Sequence, residues 1–167
     1  VKVFRKLEPE SGDYELTDQP LAAARQMIEK GFDAESGGIG SAPKFPHVTT
    51  LDRLLRHWRA GVHCDEPDLN ALDMVSLTLT RMAEGGIYDQ LGGGFCRYSV
   101  DQHWQIPHFE KMLYDNGPLL ALYAQASLAT GEQLFHNVAH GTADWMLRDM
   151  QAPAGGFYST LDADSEG

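Results

Sequence analysis

Acids, bases and cations crowd residues 89–116: Asp89, Arg97, Tyr98, Asp101, His103, Trp104, His108, Glu110, Lys111, Tyr114, Asp115 and Asn116. If residues 108–116 are helical, steps of about 100° put His108, Lys111 and Asp115 on one face and Glu110 with Tyr114 on another. Cleaving a glycosidic bond takes one carboxylic acid and one carboxylate. Asp89, Glu110, Asp115 and Asp162 are candidates for that pair. Epimerising or isomerising a sugar takes groups that titrate near neutrality on either side of a carbon, which suits His103 and His108. The expected catalytic set is therefore His108, Glu110, Asp115 and Asp89.

The expected binding groups around it are Arg97, Tyr98, Trp104, Lys111, Tyr114 and Asn116, with Lys44 for an anionic group and Asp162 and Asp164 from the last loop. Trp104, Tyr98, Tyr88 and Phe95 offer faces on which a sugar ring could rest, or side chains that plug the fold. Plainer uses compete with the chemical ones. Asp115 or Asn116 could cap a helix entered at Pro118, and Arg97 with Glu110 could form a structural ion pair. Asp115, His108 and Arg97 are expected to converge on one cavity, with Asp89 near its rim.

Other motifs carry less. Gly92-Gly93-Gly94 is followed by no GK[ST] and lacks GxGxxG spacing, so it reads as tight turns rather than a phosphate loop. His136 and His140 stand four apart, a permissible metal spacing, but no HExxH and no third ligand accompany them. They read as solvent-facing residues of an outer helix. Asp162-Ala163-Asp164-Ser165-Glu166-Gly167 resembles the opening of a calcium loop, with Glu where Asp or Asn is usual. It reads instead as part of the site-lining loop. No metal and no cofactor is expected.

The composition sets limits. With 43% hydrophobic and 22% charged residues over 167 positions, the chain has the makings of one globular domain. Its net charge of −11 and lack of a Lys/Arg cluster argue against nucleic acid as a partner. No apolar run approaches the roughly 18 residues needed to span a bilayer. Only Cys64 and Cys96 occur, with no CxxC, so a reducing cytoplasm is the expected location and Cys96 a packed thiol. The start at Val1-Lys2-Val3 reads as a segment of a longer protein.

Helices must position these groups. Apolar stripes predict helices over 18–30, ending at Gly31, over 49–60 with Thr49 or Thr50 as cap, and over 132–150. Residues 68–84 and 118–129 are apolar nearly all round, which predicts helices buried on every face. Short links alternate with long glycine-rich segments after Lys30, Glu84 and Met150. Antiparallel helices joined in this way place every long loop at one end, the geometry of a partial α/α barrel. Within the middle loop, LGGGFCRYSV suggests a short β-hairpin.

The stretches GGIYDQLGGGFCRYSVDQHWQIPHFEKMLYDN, GGIGSAPKFP and DADSEG resemble the spermatogenesis-associated, thioredoxin-domain-containing family, which includes the bacterial YyaL-type proteins. LYDNGPLLALYA is also similar to a helix opening, LYDHAF, of N-acylglucosamine 2-epimerases. The resemblance implies an all-α six-hairpin glycosidase-like toroid, incomplete here over 18–167. Residues 1–17 would be a leading segment after a thioredoxin-like domain, and the remainder of its own chain a partner. Where that family usually has His and Glu, this chain has Cys96 and Leu161. Two functions follow as expectations: a carbohydrate-active enzyme holding a sugar-like small molecule, or a silent toroid partnering the thioredoxin-like domain. Apolar helix surface left unpaired would promote self-association.

Overall fold

The computed structural model describes residues 15–164. Most of the leading segment and the end of the calcium-loop-like motif, Ser165 to Gly167, lie outside the described residues. Among them five α-helices carry the fold: α1 (Gln19–Gly31), α2 (Val48–Gly61), α3 (Leu69–Glu84), α4 (Leu113–Thr130) and α5 (Gln133–Trp145). A π-helical turn, Met146–Met150, extends α5. The Asp68 carboxylate caps α3 by accepting the Ala71 N–H at 3.0 Å. Gly131, at φ 76°, ends α4 in the left-handed conformation and leads directly into α5. No helix among the described residues is long and apolar enough to cross a membrane.

The core forms where the stripes meet. Leu51, Leu54 and Leu55 of α2 pack with Met74, Val75, Leu79 and Met82 of α3, and with Leu119, Leu122 and Tyr123 of α4. Burying each such side chain contributes about 1.5–3 kcal/mol. The one polar tip here, the Tyr123 hydroxyl, donates to the Leu79 carbonyl at 2.7 Å. Helix α4 is not buried on every face. Leu128 is 89% exposed, and Ala121, Ala124 and Gln125 also face outward.

Helices α2 and α4 run in parallel. Val48 and Thr49 face Tyr114 and Asp115, Arg56 faces Ala121 and Gln125, and Trp58 with Val62 faces Leu128 and Ala129. The long loops therefore feed into two helix N-termini at the same end. Hydrogen bonds tie the loops together there. Lys44 and Ser99 exchange N–H···O bonds of 2.7 and 2.8 Å, and the Arg148 guanidinium donates to the Gly92 carbonyl at 2.7 Å. Short strands β1 (Tyr98–Ser99) and β2 (Pro107–His108) pair antiparallel, as do β3 (Lys111–Met112) and β4 (Thr160–Leu161). The expected hairpin thus has its first strand inside LGGGFCRYSV, at Tyr98–Ser99, and its second strand downstream of it.

Two glycines let the loops seat closely. A Cβ on Gly94 (φ 77°) would lie 2.6 Å from the Trp145 ring, and one on Gly38 (φ 79°) 2.6 Å from Trp104.

Candidate functional site

A cavity of about 320 Å3 opens where α2 and α4 begin, lined by Phe45, Pro46, His47, Val48, Thr49, Tyr114, Asp115 and Pro118. The chain enters α2 through Phe45-Pro46-His47, and His47 itself is the N-cap, so Thr49 and Thr50 lie inside the helix. His47 adopts a left-handed backbone (φ 46°, ψ 49°) and makes no side-chain capping bond. Such a conformation costs a non-glycine residue on the order of 1 kcal/mol. Helix α4 begins at Leu113, five residues before Pro118, and its N-cap Met112 also lacks a side-chain cap. That early start puts Tyr114 and Asp115 in the first turn, beside the cavity, and gives neither Asp115 nor Asn116 a capping role.

Four rings run in a ladder from strand β2 to this cavity. His108 stacks on Tyr98 at 4.8 Å and 15°, and Tyr98 stacks on Phe45 at 4.8 Å and 28°. Phe45 and His47 follow at 6.4 Å and 54°. Phe45 remains 38% exposed and lines the cavity. The His108 Nδ1 is buried and has no hydrogen-bond partner among the described residues.

Among the described residues Asp115 is the one carboxyl on the cavity wall. Burial pushes its pKa up, Arg97 pulls it down, and Glu110 pushes it up again, with a net rise. A carboxyl so placed is easier to protonate than an exposed one. Arg97 and Glu110 form the structural ion pair weighed in the sequence, at 2.8 Å. Arg97 and Glu110 lie near enough to act on the Asp115 charge, but neither they nor His108, which stacks on Tyr98, line the cavity as the sequence led one to expect.

The shared helix face expected for His108, Lys111 and Asp115 does not form, because β2 and β3 are extended and α4 starts only at Leu113. Asp89 does not reach the rim of this cavity. It accepts the Leu91 and Gly92 N–H groups and pairs with Lys111 at 2.8 Å. Burial pushes its carboxyl up, but the Gly92 amide and Lys111 outweigh this and hold it at about 2. Lys111 spends two of its three donors on Asp89 and the Gly93 carbonyl, sits over the Trp145 ring, and does not line the cavity.

Trp104 is wholly buried, and its indole N–H donates to the Ser36 carbonyl at 2.8 Å. It plugs the loop layer and offers no face to a sugar. Lys44, also fully buried, meets an anion of the protein itself: Asp33, at 2.6 Å. Burial pushes Asp33 up, yet Lys44 and the Ser36 amide hold it well below the usual carboxylate range. Asn116 is a backbone staple. Its amide donates to Phe95 and Met112 carbonyls and accepts the Phe95 N–H at 2.7 Å.

Asp162 and Asp164 are exposed and do not line the cavity. His103 bonds Ser36 at 2.8 Å in a separate hollow with Glu35, Arg81 and Glu84. Burial pushes the Cys96 thiol up, consistent with packing. No group of three or more His, Cys, Asp or Glu residues is arranged for a metal among the described residues.

The sequence reading missed Phe45, His47 and Thr49. Its available signal was the Phe-Pro-His run directly before a helical stripe, where a capping residue was expected at Thr49 or Thr50.

No protein-family model matches the chain. Spermatogenesis-associated protein 20 of Rattus norvegicus is 44% identical over 140 residues, 84% of this chain and 18% of the relative. The chain therefore spans about a fifth of that protein's length. A cellobiose 2-epimerase structure from Spirochaeta thermophila superimposes with a TM-score of 0.69 at 20% identity, covering 90% of this chain and 42% of that one. A D-mannose isomerase structure gives 0.65 at 15% identity, covering 88% and 42%. At these identities the structural likeness establishes the fold, an α/α toroid. By sequence, the chain belongs to the spermatogenesis-associated protein 20 family.

Proposed function

We propose that this segment forms one wall of a carbohydrate site in an enzyme of the epimerase or isomerase type. A sugar ring rests on Phe45, Tyr114 and His47 hold its hydroxyls, and Asp115 moves the proton. The observation that carries this reading is Asp115 itself: a carboxyl with a raised pKa on the wall of an open, aromatic-edged cavity. Carboxyls in such settings exchange protons near neutral pH more readily than exposed ones. Among the described residues the cavity wall carries one carboxyl and one imidazole, Asp115 and His47. Hydrolysis needs two carboxyls flanking the bond, whereas removal and return of a proton at carbon needs only an acid–base pair. The toroid of the cellobiose 2-epimerase and D-mannose isomerase supports the same class.

The test is incubation of the full-length protein in D2O with mono- and oligosaccharides, followed by 1H NMR. Deuterium entering a sugar C–H position, abolished by Asp115→Asn and weakened by Phe45→Ala, is the expected result. A panel in which no sugar binds or exchanges refutes the reading and leaves a scaffold partnering a thioredoxin-like domain.

A further inference from the structure

We propose that His136 and His140 form a divalent transition-metal site on the outer face of α5, selective for Cu2+ over Ni2+ and Zn2+. Both residues are exposed, and they stand one turn apart on a helix whose buried stripe is Phe135, Val138, Ala139 and Thr142. Their ring centroids lie 4.4 Å apart, tilted by 38°. Two imidazole nitrogens bound to one ion at about 2.0–2.1 Å must sit roughly 3 Å from each other. Rings already this close reach that spacing by small χ rotations alone, so the ordering cost of chelation is low.

The Gln133 side-chain amide nitrogen lies 3.2 Å from His136 Nδ1 and donates to the Asn137 side-chain oxygen at 2.9 Å. An N–H facing Nδ1 occupies that lone pair and competes with a metal for the His136 ring. Imidazole favours Cu2+, Ni2+ and Zn2+ over Ca2+ or Mg2+, and the divalent order puts Cu2+ first. With two protein ligands the remaining positions hold water, so the ion stays open to a further donor. The site is remote from the Asp115 cavity and does not depend on the sugar reading.

The experiment uses tag-free, EDTA-stripped full chain titrated with CuSO4, NiCl2 and ZnCl2 by calorimetry, with electron paramagnetic resonance of the Cu2+ form. One Cu2+ per chain with two nitrogen ligands is expected, bound more tightly than Ni2+ or Zn2+. His140→Ala should weaken Cu2+ binding by at least about tenfold, whereas Gln133→Ala, which removes the N–H facing His136 Nδ1, should not weaken it. Cu2+ should raise the Tm of the parent protein and not that of His136→Ala/His140→Ala. No binding, or a stoichiometry and affinity unchanged in the double variant, overturns the proposal.

Discussion

Asn116→Ala should be among the most destabilising polar substitutions in the chain. Asn116 is wholly buried, and its three side-chain bonds of 2.7–3.0 Å satisfy the Phe95 N–H, the Phe95 carbonyl and the Met112 carbonyl. Phe95 is itself fully buried, so water cannot replace the lost partner. Each orphaned buried group costs about 1–3 kcal/mol. The two Phe95 groups together therefore cost about 2–6 kcal/mol, a large share of the roughly 5–15 kcal/mol that holds a domain folded. For a domain of this size each kcal/mol lowers Tm by about 2–4 °C. Asn116→Asp is the informative companion. It keeps an acceptor for the Phe95 N–H but turns a second oxygen on the Phe95 carbonyl, so it should also destabilise. Thermal and urea unfolding followed by circular dichroism measure both. A loss below about 1 kcal/mol in Asn116→Ala would refute the staple and return Asn116 to the list of ligand-binding residues.

Two further outcomes follow from the electrostatics and the surface. Asp89 titrates at about 2 in the fold and near 4 when unfolded, so its contribution is complete above pH 4 and is lost as pH falls toward 2. Lys111→Met should flatten that acid limb of the Tm profile, and an unchanged limb would show the pair to be inert. The outward face of α4, with Leu128 89% exposed beside Ala121 and Ala124, should drive concentration-dependent association of the 167-residue chain in sedimentation velocity. A monomer at every concentration that also binds no hydrophobic dye would count against this.

The helices were legible because their signals are local. The stripes of 18–30, 49–60 and 68–84 fall within a residue or two of α1, α2 and α3. Proline is favoured at the first helical position, so Pro118 points to a helix start that the structure places at Leu113 instead. The actual first turn, Leu113-Tyr114-Asp115-Asn116-Gly117, has no apolar period, and its first N–H is satisfied from afar by the Ser159 carbonyl. Strand β1 lies inside the stretch read as a hairpin, but β3 and β4 leave no local signal, since Lys111 pairs with Leu161 across fifty positions of chain. Strand pairing, of His108 with Tyr98 and of Lys111 with Leu161, replaces helical periodicity in placing these two residues. Lys44 and Trp104 look like surface chemistry in the sequence. A carboxylate eleven residues away and a carbonyl of the first long loop draw them into the interior. Asp115 survived as a candidate because α4 starts early enough to set it on the cavity wall.

The most direct test of the account is Asp115→Asn in the full-length protein, measured at neutral pH for both Tm and sugar binding. Burial already disfavours the Asp115 charge, so an uncharged side chain of the same shape should leave Tm unchanged or raise it. The account predicts that outcome together with loss of sugar exchange. A lowered Tm with exchange or binding intact would contradict it and make the carboxyl architectural.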